Sequence, residues 1–437
     1  MIAASIHHDW QELRLRYCVT VNPPKSEVSR LSGNTAVSFV PMEAVGEMGG
    51  LRLDQTKTLD EVSGGYTYFR DGDILIAKIT PCFENGKGAI AEGLENGIGF
   101  GTTELHVLRP SLSLDRRFLF YLTLSHGFRG MGTGSMYGAG GQKRVPDDFV
   151  RDFRHPIPSL PEQRAIAEFL DRETARIDAL IEKKRRQIEL LQERRAAVIS
   201  RAVTKGLDPK AKMKPSGIEW LGEIPEHWRV RKLKWIAETQ FSSVDKHAIE
   251  GEQPVRLCNY VDVYYHDHIT SALDFMAATA TPDEARRFEI KEGDVLVTKD
   301  SEEWDDIAVP AFVSEQLDGV ICGYHLALIR AKAGQIDGRF LFRAFSARGI
   351  NDQFRVEATG ITRYGLGKYG LDNALFPVPP IFEQRAIAAF LDRETVRIDA
   401  LIGKIEKSIE LLREHRSALI SAAVTGKIDV RKEAAAC

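Results

Sequence analysis

EQRAIAEFLDRETARIDALIEKKRRQIELLQERRAAVISRAVTKGLD, from Glu162 to Asp208, returns as EQRAIAAFLDRETVRIDALIGKIEKSIELLREHRSALISAAVTGKID from Glu383 to Asp429. The offset is 221 residues without a gap, and 32 of the 47 positions are identical. A period this long is not that of a stacked-repeat protein. It marks one large unit, a domain plus a helix, present twice. Within the stretch, Ile177, Ile181, Lys184, Ile188, Leu191, Arg195, Val198 and Ala202 follow at alternating steps of four and three. That is a heptad seam. Ile398, Ile402, Ile405, Ile409, Leu412, Arg416, Leu419 and Ala423 repeat it. Two seams in one chain predict that the helices pair with each other, antiparallel, at a spacing of about 8–10 Å. Each seam carries one arginine and the first adds Lys184; such residues fix register at some loss of stability. From Ile177 to Val203 the helix is about 40 Å long at ~1.5 Å per residue.

Working outward, the flanking sequence is duplicated too. Trp228, Leu233 and Trp235 repeat Trp10, Leu15 and Tyr17 at an offset of 218, and GDVLVTK (293–299) repeats GDILIAK (72–78) at 221. Asp337 to Phe345 repeats the stretch that follows Asp115, and FPVPPIFEQ repeats HPIPSLPEQ. Val37–Val40, Asp73–Thr80 and Glu104–Leu108 are β-branched, short and bounded by turn residues, so they read as strands. Trp10 to Tyr17 reads as a strand edge or a short helix. Asp115 caps a helix expected to run through Phe118, Leu119, Leu122 and His126 and to stop at Gly127. Gly130 to Gly141 reads as a glycine-rich loop, and Ser159 with Glu162 has capping-box spacing. Lys205 to Lys214, interrupted by Pro209, reads as a linker. The fold class is α+β: two similar mixed α/β units, 1–157 and 228–378, and two long helices, 158–206 and 379–430, forming an antiparallel coiled coil with a pseudo-twofold repeat. A linker, 207–227, and a tail, 431–437, complete the chain. Pro81 to Gly101 does not resemble Asp300 to Gly319, and the glycine-rich segment does not resemble Glu357 to Tyr369. One scaffold thus carries two different loop sets, and loops are where recognition sits.

Composition narrows the class. The 437 residues are 43% hydrophobic and 28% charged, with net charge -3. No apolar run is long enough to span a membrane. MIAASIHHDW lacks the basic start and apolar core of a signal peptide. Five scattered cysteines without a C-x-x-C pair argue against a zinc ribbon or disulfide framework and for a reducing cytosol. The acidic balance counts against a free-standing DNA binder, which is usually basic.

Catalytic motifs are incomplete. Asn22-Pro23-Pro24-Lys25 matches the start of the N-P-P-aromatic motif of amino methyltransferases but has lysine where the flipped base needs an aromatic face. No glycine fingerprint accompanies it, so it reads as a proline-rich loop. Gly97, Gly99 and Gly101 are not followed by G-K-[ST]. Glu302, Glu303, Asp305 and Asp306 read as a solvated loop rather than a metal site. His266-Asp267-His268 lacks a third ligand, and His7-His8 reads as a terminus. No nucleophile, base and orienter assemble. Contacts to nucleic acid are better supported. Lys78, Asn85, Lys87, Tyr137, Gln142, Lys143 and Arg144 in the first half offer base-edge forks, a stacking ring and phosphate charges beside glycines. Lys299, Thr362, Arg363, Tyr364 and Lys368 hold the corresponding loops of the second.

EQRAIAxFLDRETxRIDALI with its AVT ending, PSGIEWLGEIPEHW before the second domain, and KITPCFENGK and GQKRVP in the first resemble the conserved regions of specificity subunits of type I restriction-modification systems. The likeness covers nearly the full chain. It implies two target recognition domains of mixed α/β structure, two antiparallel helices as a spacer, and a bipartite, asymmetric double-stranded DNA site. It also implies no catalysis by this chain, two methyltransferase subunits as partners, and restriction subunits joined through the complex. S-adenosylmethionine and ATP then belong to those partners, and the location is cytoplasmic. The first half lacks the PSGIEWLGEIPEHW lead-in, so its N-terminal edge is expected to pack differently or to be trimmed. Arg172, Arg176 and their copies Arg393 and Arg397 lie off the seam and repeat although the loops do not, which marks them for two copies of one partner. The alternatives are a coiled-coil adaptor that binds proteins only, or the recognition subunit of a fused restriction and methylation system. A duplex-binding assay separates the adaptor from the others.

Overall fold

The computed structural model of the chain describes residues 10–139 and 141–430. His7, His8 and the tail 431–437 lie outside them. The chain forms two compact units, residues 1–185 with 406–437, and residues 186–405. Both long helices cross the boundary, so each unit holds one α/β domain and a segment of each helix.

In the first unit a four-stranded antiparallel sheet runs in the order Val19–Val21, Leu105–Pro110, Ile74–Ala77, Gly88–Ile90. A second sheet runs Thr56–Thr58, Ala36–Val40, Ile98–Gly101, Thr67–Arg70, its middle pair parallel. Ile74, Leu75, Ile76 and Ala77 are fully buried, as an unbroken apolar run with both faces covered requires. Gly72 enters this strand at φ 90°, the left-handed region glycine favours. Asp73 is buried too; a two-pronged Arg109 at 2.6 and 2.7 Å neutralises it, and the Arg70 N–H donates to it.

The second unit repeats this plan. Ala237–Phe241, Leu326–Ala331, Val295–Thr298 and Pro310–Val313 take the same sheet order, with His268–Ile269 added at the edge. Met276–Ala280, Gln253–Cys258 and Val320–Cys322 form the second sheet, again with one parallel pair. Gly293 enters at φ 92°. Asp294 is buried and meets Arg330 at 2.6 and 2.8 Å.

The long helices are Leu160–Lys205 and Ile381–Val424. The Ser159 N–H and hydroxyl both donate to the Glu162 carboxylate, the return half of the expected capping box. Every seam residue is buried or half-buried, while the positions between are mostly exposed. In the first unit Ile166 and Leu170 share a core with Ile420, Ala423 and Val424, and Arg416 Nε sits 3.0 Å from Asp178. In the second, Ile199, Ala202 and Val203 share a core with Ile387 and Leu391, and Arg195 Nε sits 3.1 Å from Asp399. In each unit the start of one helix meets the end of the other, so the segments are antiparallel. The two seam arginines, one repeat apart, make the same ion pair with aspartates one repeat apart.

The domain-to-helix joint is also made twice. Gln163 Oε1 accepts from the Asp115 N–H at 2.7 Å, and its amide donates to the Ser113 and Pro158 carbonyls. Gln384 does the same with Asp337, Gln335 and Pro379. Both glutamines are buried. Removing one leaves a cap N–H and two carbonyls without partners. Gln384→Ala is therefore expected to lower stability by about 1–3 kcal/mol, read by urea denaturation, with Gln163→Ala matching it.

One expectation needs correction. The helix capped by Asp115 ends at Leu124, and Ser125 then caps a new helix, His126–Gly134. The first glycines of the supposed loop are thus helical. Phe128 is fully buried, and the space where Gly132 would carry a Cβ is filled by the Phe83 ring at 2.4 Å. Core packing outweighs the roughly 1 kcal/mol helix penalty of a glycine. Trp10 to Tyr17 is both a strand, Gln11–Arg14, and a helical turn, Leu15–Tyr17.

Candidate nucleic-acid interface

The strand Ile74–Ala77 delivers Lys78 to its end. The Lys78 carbonyl accepts from Val145 N at 2.8 Å, and Thr80 N donates to the Lys143 carbonyl at 2.9 Å. Tyr137 and Arg144 exchange backbone hydrogen bonds. These bonds gather Lys78, Tyr137, Gln142, Lys143 and Arg144 at one place. Tyr137, Gln142 and Lys143 are exposed. Arg144 is committed: its guanidinium grips both Glu104 oxygens at 2.9 and 2.8 Å. That pairing holds the Glu104 carboxyl below its usual range and raises Arg144. Asn85 and Lys87 turn to another loop, bonding Glu47 Oε1 and the Met42 carbonyl.

Beneath this cluster His106 is fully buried, with Nε2 2.9 Å from the Val145 carbonyl and Nδ1 3.2 Å from Asp147. The His106 contact, helped by Asn22 and Arg151, pulls the Asp147 carboxyl down to about 2. Asn22 Nδ2 donates to Asp147, and Asn22 exchanges two further bonds with the Val107 backbone. The asparagine of the N-P-P segment therefore holds the scaffold.

The second domain builds the same platform. Leu366 N donates to the Lys299 carbonyl at 2.7 Å, the Val145–Lys78 bond one repeat on. Asp300 and Ser301 pair with Gly365 and Tyr364. The Lys299 ammonium lies 4.4 Å from the Tyr324 ring centroid and 5.2 Å from that of Phe241. Thr362 and Arg363 are exposed, and Arg363 makes no ion pair among the described residues. Lys368 is held by Asp372 and Thr239. Tyr260 and Tyr264 stack 5.3 Å apart beside this loop; burial, and then Asp306, raise the Tyr260 hydroxyl. Tyr265, Trp304 and Tyr324 present exposed rings. Asp306 accepts from the Tyr264 hydroxyl, Asp267 meets Arg195, and His268 meets Ser314. Among the described residues no three His, Cys, Asp or Glu side chains converge as a metal site would need.

Residues 25–190 match the family model described as the type I restriction modification DNA specificity domain. The EcoEI specificity subunit of Escherichia coli is 43% identical over 159 residues, 36% of this chain and 26% of that protein. The chain thus aligns with about a quarter of that relative's length. The putative MjaX specificity subunit of Methanocaldococcus jannaschii is 26% identical over 82% of this chain and 79% of its own. A solved chain from a study of the assembly and conformational transition of the type I R-M system has the same fold, with a TM-score of 0.74, 17% identity, and coverage of 96% of this chain and 98% of that one. Residues 25–190 thus match a type I restriction modification DNA specificity domain, and the chain as a whole shares its fold with that solved chain.

The off-seam arginines Arg172, Arg176, Arg393 and Arg397 are exposed. Leu180 and Leu401, and Leu190 and Leu411, add exposed apolar side chains at matching positions of the two helices. No helix of the described residues is long and apolar enough to cross a membrane. Sequence reading missed Tyr324, whose ring lies against Lys299, and the stacked pair Tyr260 and Tyr264, because both come from segments remote from Lys299 in the chain. The signal for Tyr260 and Tyr264 was the Y-V-D-V-Y-Y run at 260–265, which forms a short helix.

Proposed function

We propose that this chain is the DNA-reading, non-catalytic subunit of a type I restriction-modification complex in the cytoplasm. Domains 1–157 and 228–378 each read one half of a bipartite, asymmetric double-stranded site. The helices within 158–206 and 379–430 act as spacer and as docking surface for two methyltransferase subunits, through which restriction subunits join. S-adenosylmethionine and ATP are bound by those partners. The observation that carries this reading is one platform with two contents. The Val145–Lys78 and Leu366–Lys299 bonds are equivalent, yet the side chains they present are Gln142, Lys143 and Tyr137 in one domain and Thr362, Arg363 and Tyr364 in the other. Identical readers would recognise a symmetric site; these recognise two unlike half-sites. Duplex binding with and without a methyltransferase partner, and methylome sequencing of cells with and without the chain, test it. A partner that gains no sequence preference from this chain would reduce it to an adaptor.

The docking surface has its own test. Arg176 is 72% exposed and, among the described residues, pairs with Glu173 on its own helix, so reversing its charge leaves the core intact. Arg176→Glu with Arg397→Glu is expected to lower methyltransferase stoichiometry from two in mass photometry, with the melting temperature kept. Full stoichiometry would reject this face.

A further inference from the structure

The duplication allows a position-by-position comparison of charge, and at one place the balance differs. In the first domain Arg14 and Arg16 both pair with the carboxylate of Asp152, at 3.1 and 2.6 Å. One repeat on, the cations are Lys232 and Lys234, but the residue matching Asp152 is Asn373. Both ammonium groups converge on its single amide oxygen, at 3.1 and 2.9 Å. The Asn373 amide nitrogen is turned away, donating to the Tyr369 carbonyl. A third lysine, Lys332, donates to the Lys234 carbonyl at 2.7 Å. None of the three lysines has a carboxylate partner among the described residues. The neighbouring acid, Asp372, is already held by Lys368 and Thr239. Lys232 and Lys234 are exposed, and the exposed Trp235 ring lies 5.7 Å from the Lys234 ammonium.

Ammonium groups drawn to one neutral oxygen repel each other, and an exposed anion removes that repulsion. We propose that Lys232 and Lys234, gathered on Asn373, with Lys332 bonded to the Lys234 carbonyl, form a seat for one backbone phosphate of the bound duplex, and that Asp152 closes the same seat in the first domain. The proposal rests on the DNA-reading function above. The helical turn Lys368–Asn373 that carries Asn373 directly follows the loop bearing Arg363, so an anchored phosphate lies on the chain segment next to a base reader. A phosphate contact holds register without reading sequence, which fits an anchor shared by every target of this domain. Lysine suits the role because it binds phosphate as a point charge rather than through a base-reading fork.

The test is the salt dependence of duplex binding by the full chain with its methyltransferase partner. Asn373→Asp restores the first domain's carboxylate, and Lys232→Ala with Lys234→Ala removes the cations. Each is expected to reduce the slope of log K against log salt by about 0.9, one phosphate contact, and to weaken all duplexes equally. Asp152→Asn, which opens the closed seat, is expected to steepen the slope. Unchanged slopes in both second-domain variants overturn the seat. A slope kept while methyltransferase stoichiometry falls also overturns it, assigning the patch to protein docking. Absence of salt-dependent binding in the unmodified chain would instead reject the DNA-reading function itself, so the two failures are distinguishable.

Discussion

Arg363→Ala is expected to lower discrimination at one base of one half-site by about 1–3 kcal/mol, roughly 5- to 150-fold, and to leave the other half-site untouched. Arg363 is exposed and makes no ion pair among the described residues, so its fork is available for a guanine edge. Its loop is also held in shape. Thr359 and Gly365 exchange backbone bonds at 3.1 and 2.9 Å, and Gly360 turns at φ 150° where any Cβ would strike the Arg363 carbonyl. A reader held this way loses little freedom on binding. Arg144→Ala is a different experiment. Arg144 is already spent on Glu104, and its removal leaves a bare carboxylate beside Lys143. Every DNA sequence should then bind more weakly, with no base singled out. Lys143→Ala, by contrast, is expected to act on the first domain's half-site alone. Methylome sequencing of each variant separates these patterns. If Arg363→Ala weakens every sequence equally, Arg363 is a phosphate contact.

The sequence was legible where the cause of structure is local or periodic. The seam at Ile177, Ile181 and Ile188 follows from a repeat of 3.5, and caps at Asp115 and Ser159 follow from spacings of two or three residues. The site was legible as positions but not as states. Lys143 and Arg144 are neighbours in sequence, yet one is free and the other is locked by Glu104, forty residues away. Gln163 is an ordinary helix residue by sequence, and its three bonds to the preceding domain make it a joint. The Asp152-to-Asn373 difference is one of many between poorly matching stretches of the two copies. Its meaning needed the folded arrangement, because Lys232 and Lys234 lie about 140 residues from Asn373.

The second large effect concerns the spacer. An insertion of four residues after Leu191 lengthens one helix by about 6 Å and turns its seam by only about 40°, so from the seam alone it is tolerable. The ion pairs change that expectation. From Asp178 to Arg195, and from Arg416 back to Asp399, are both 17 residues. An insertion between them in one helix alone makes the two pairs incompatible with a single register. One seam arginine then loses its aspartate. Arg416, only 10% exposed, is the harder to leave unpaired, at about 1–3 kcal/mol for a charged hydrogen bond. The single insertion is therefore expected to destabilise the chain and to abolish or blur site recognition. Matching it with four residues after Ile402 restores both pairs, and leaves a stutter of the kind coiled coils absorb. The double insertion should then lengthen the unread gap between half-sites by about one or two base pairs, at ~3.4 Å per base pair, with both half-site sequences unchanged. Methylome sequencing reads gap and half-sites together. An unchanged gap at full activity in the double variant would show that spacing is set outside the helices. Altered half-site bases would show that the helices take part in readout.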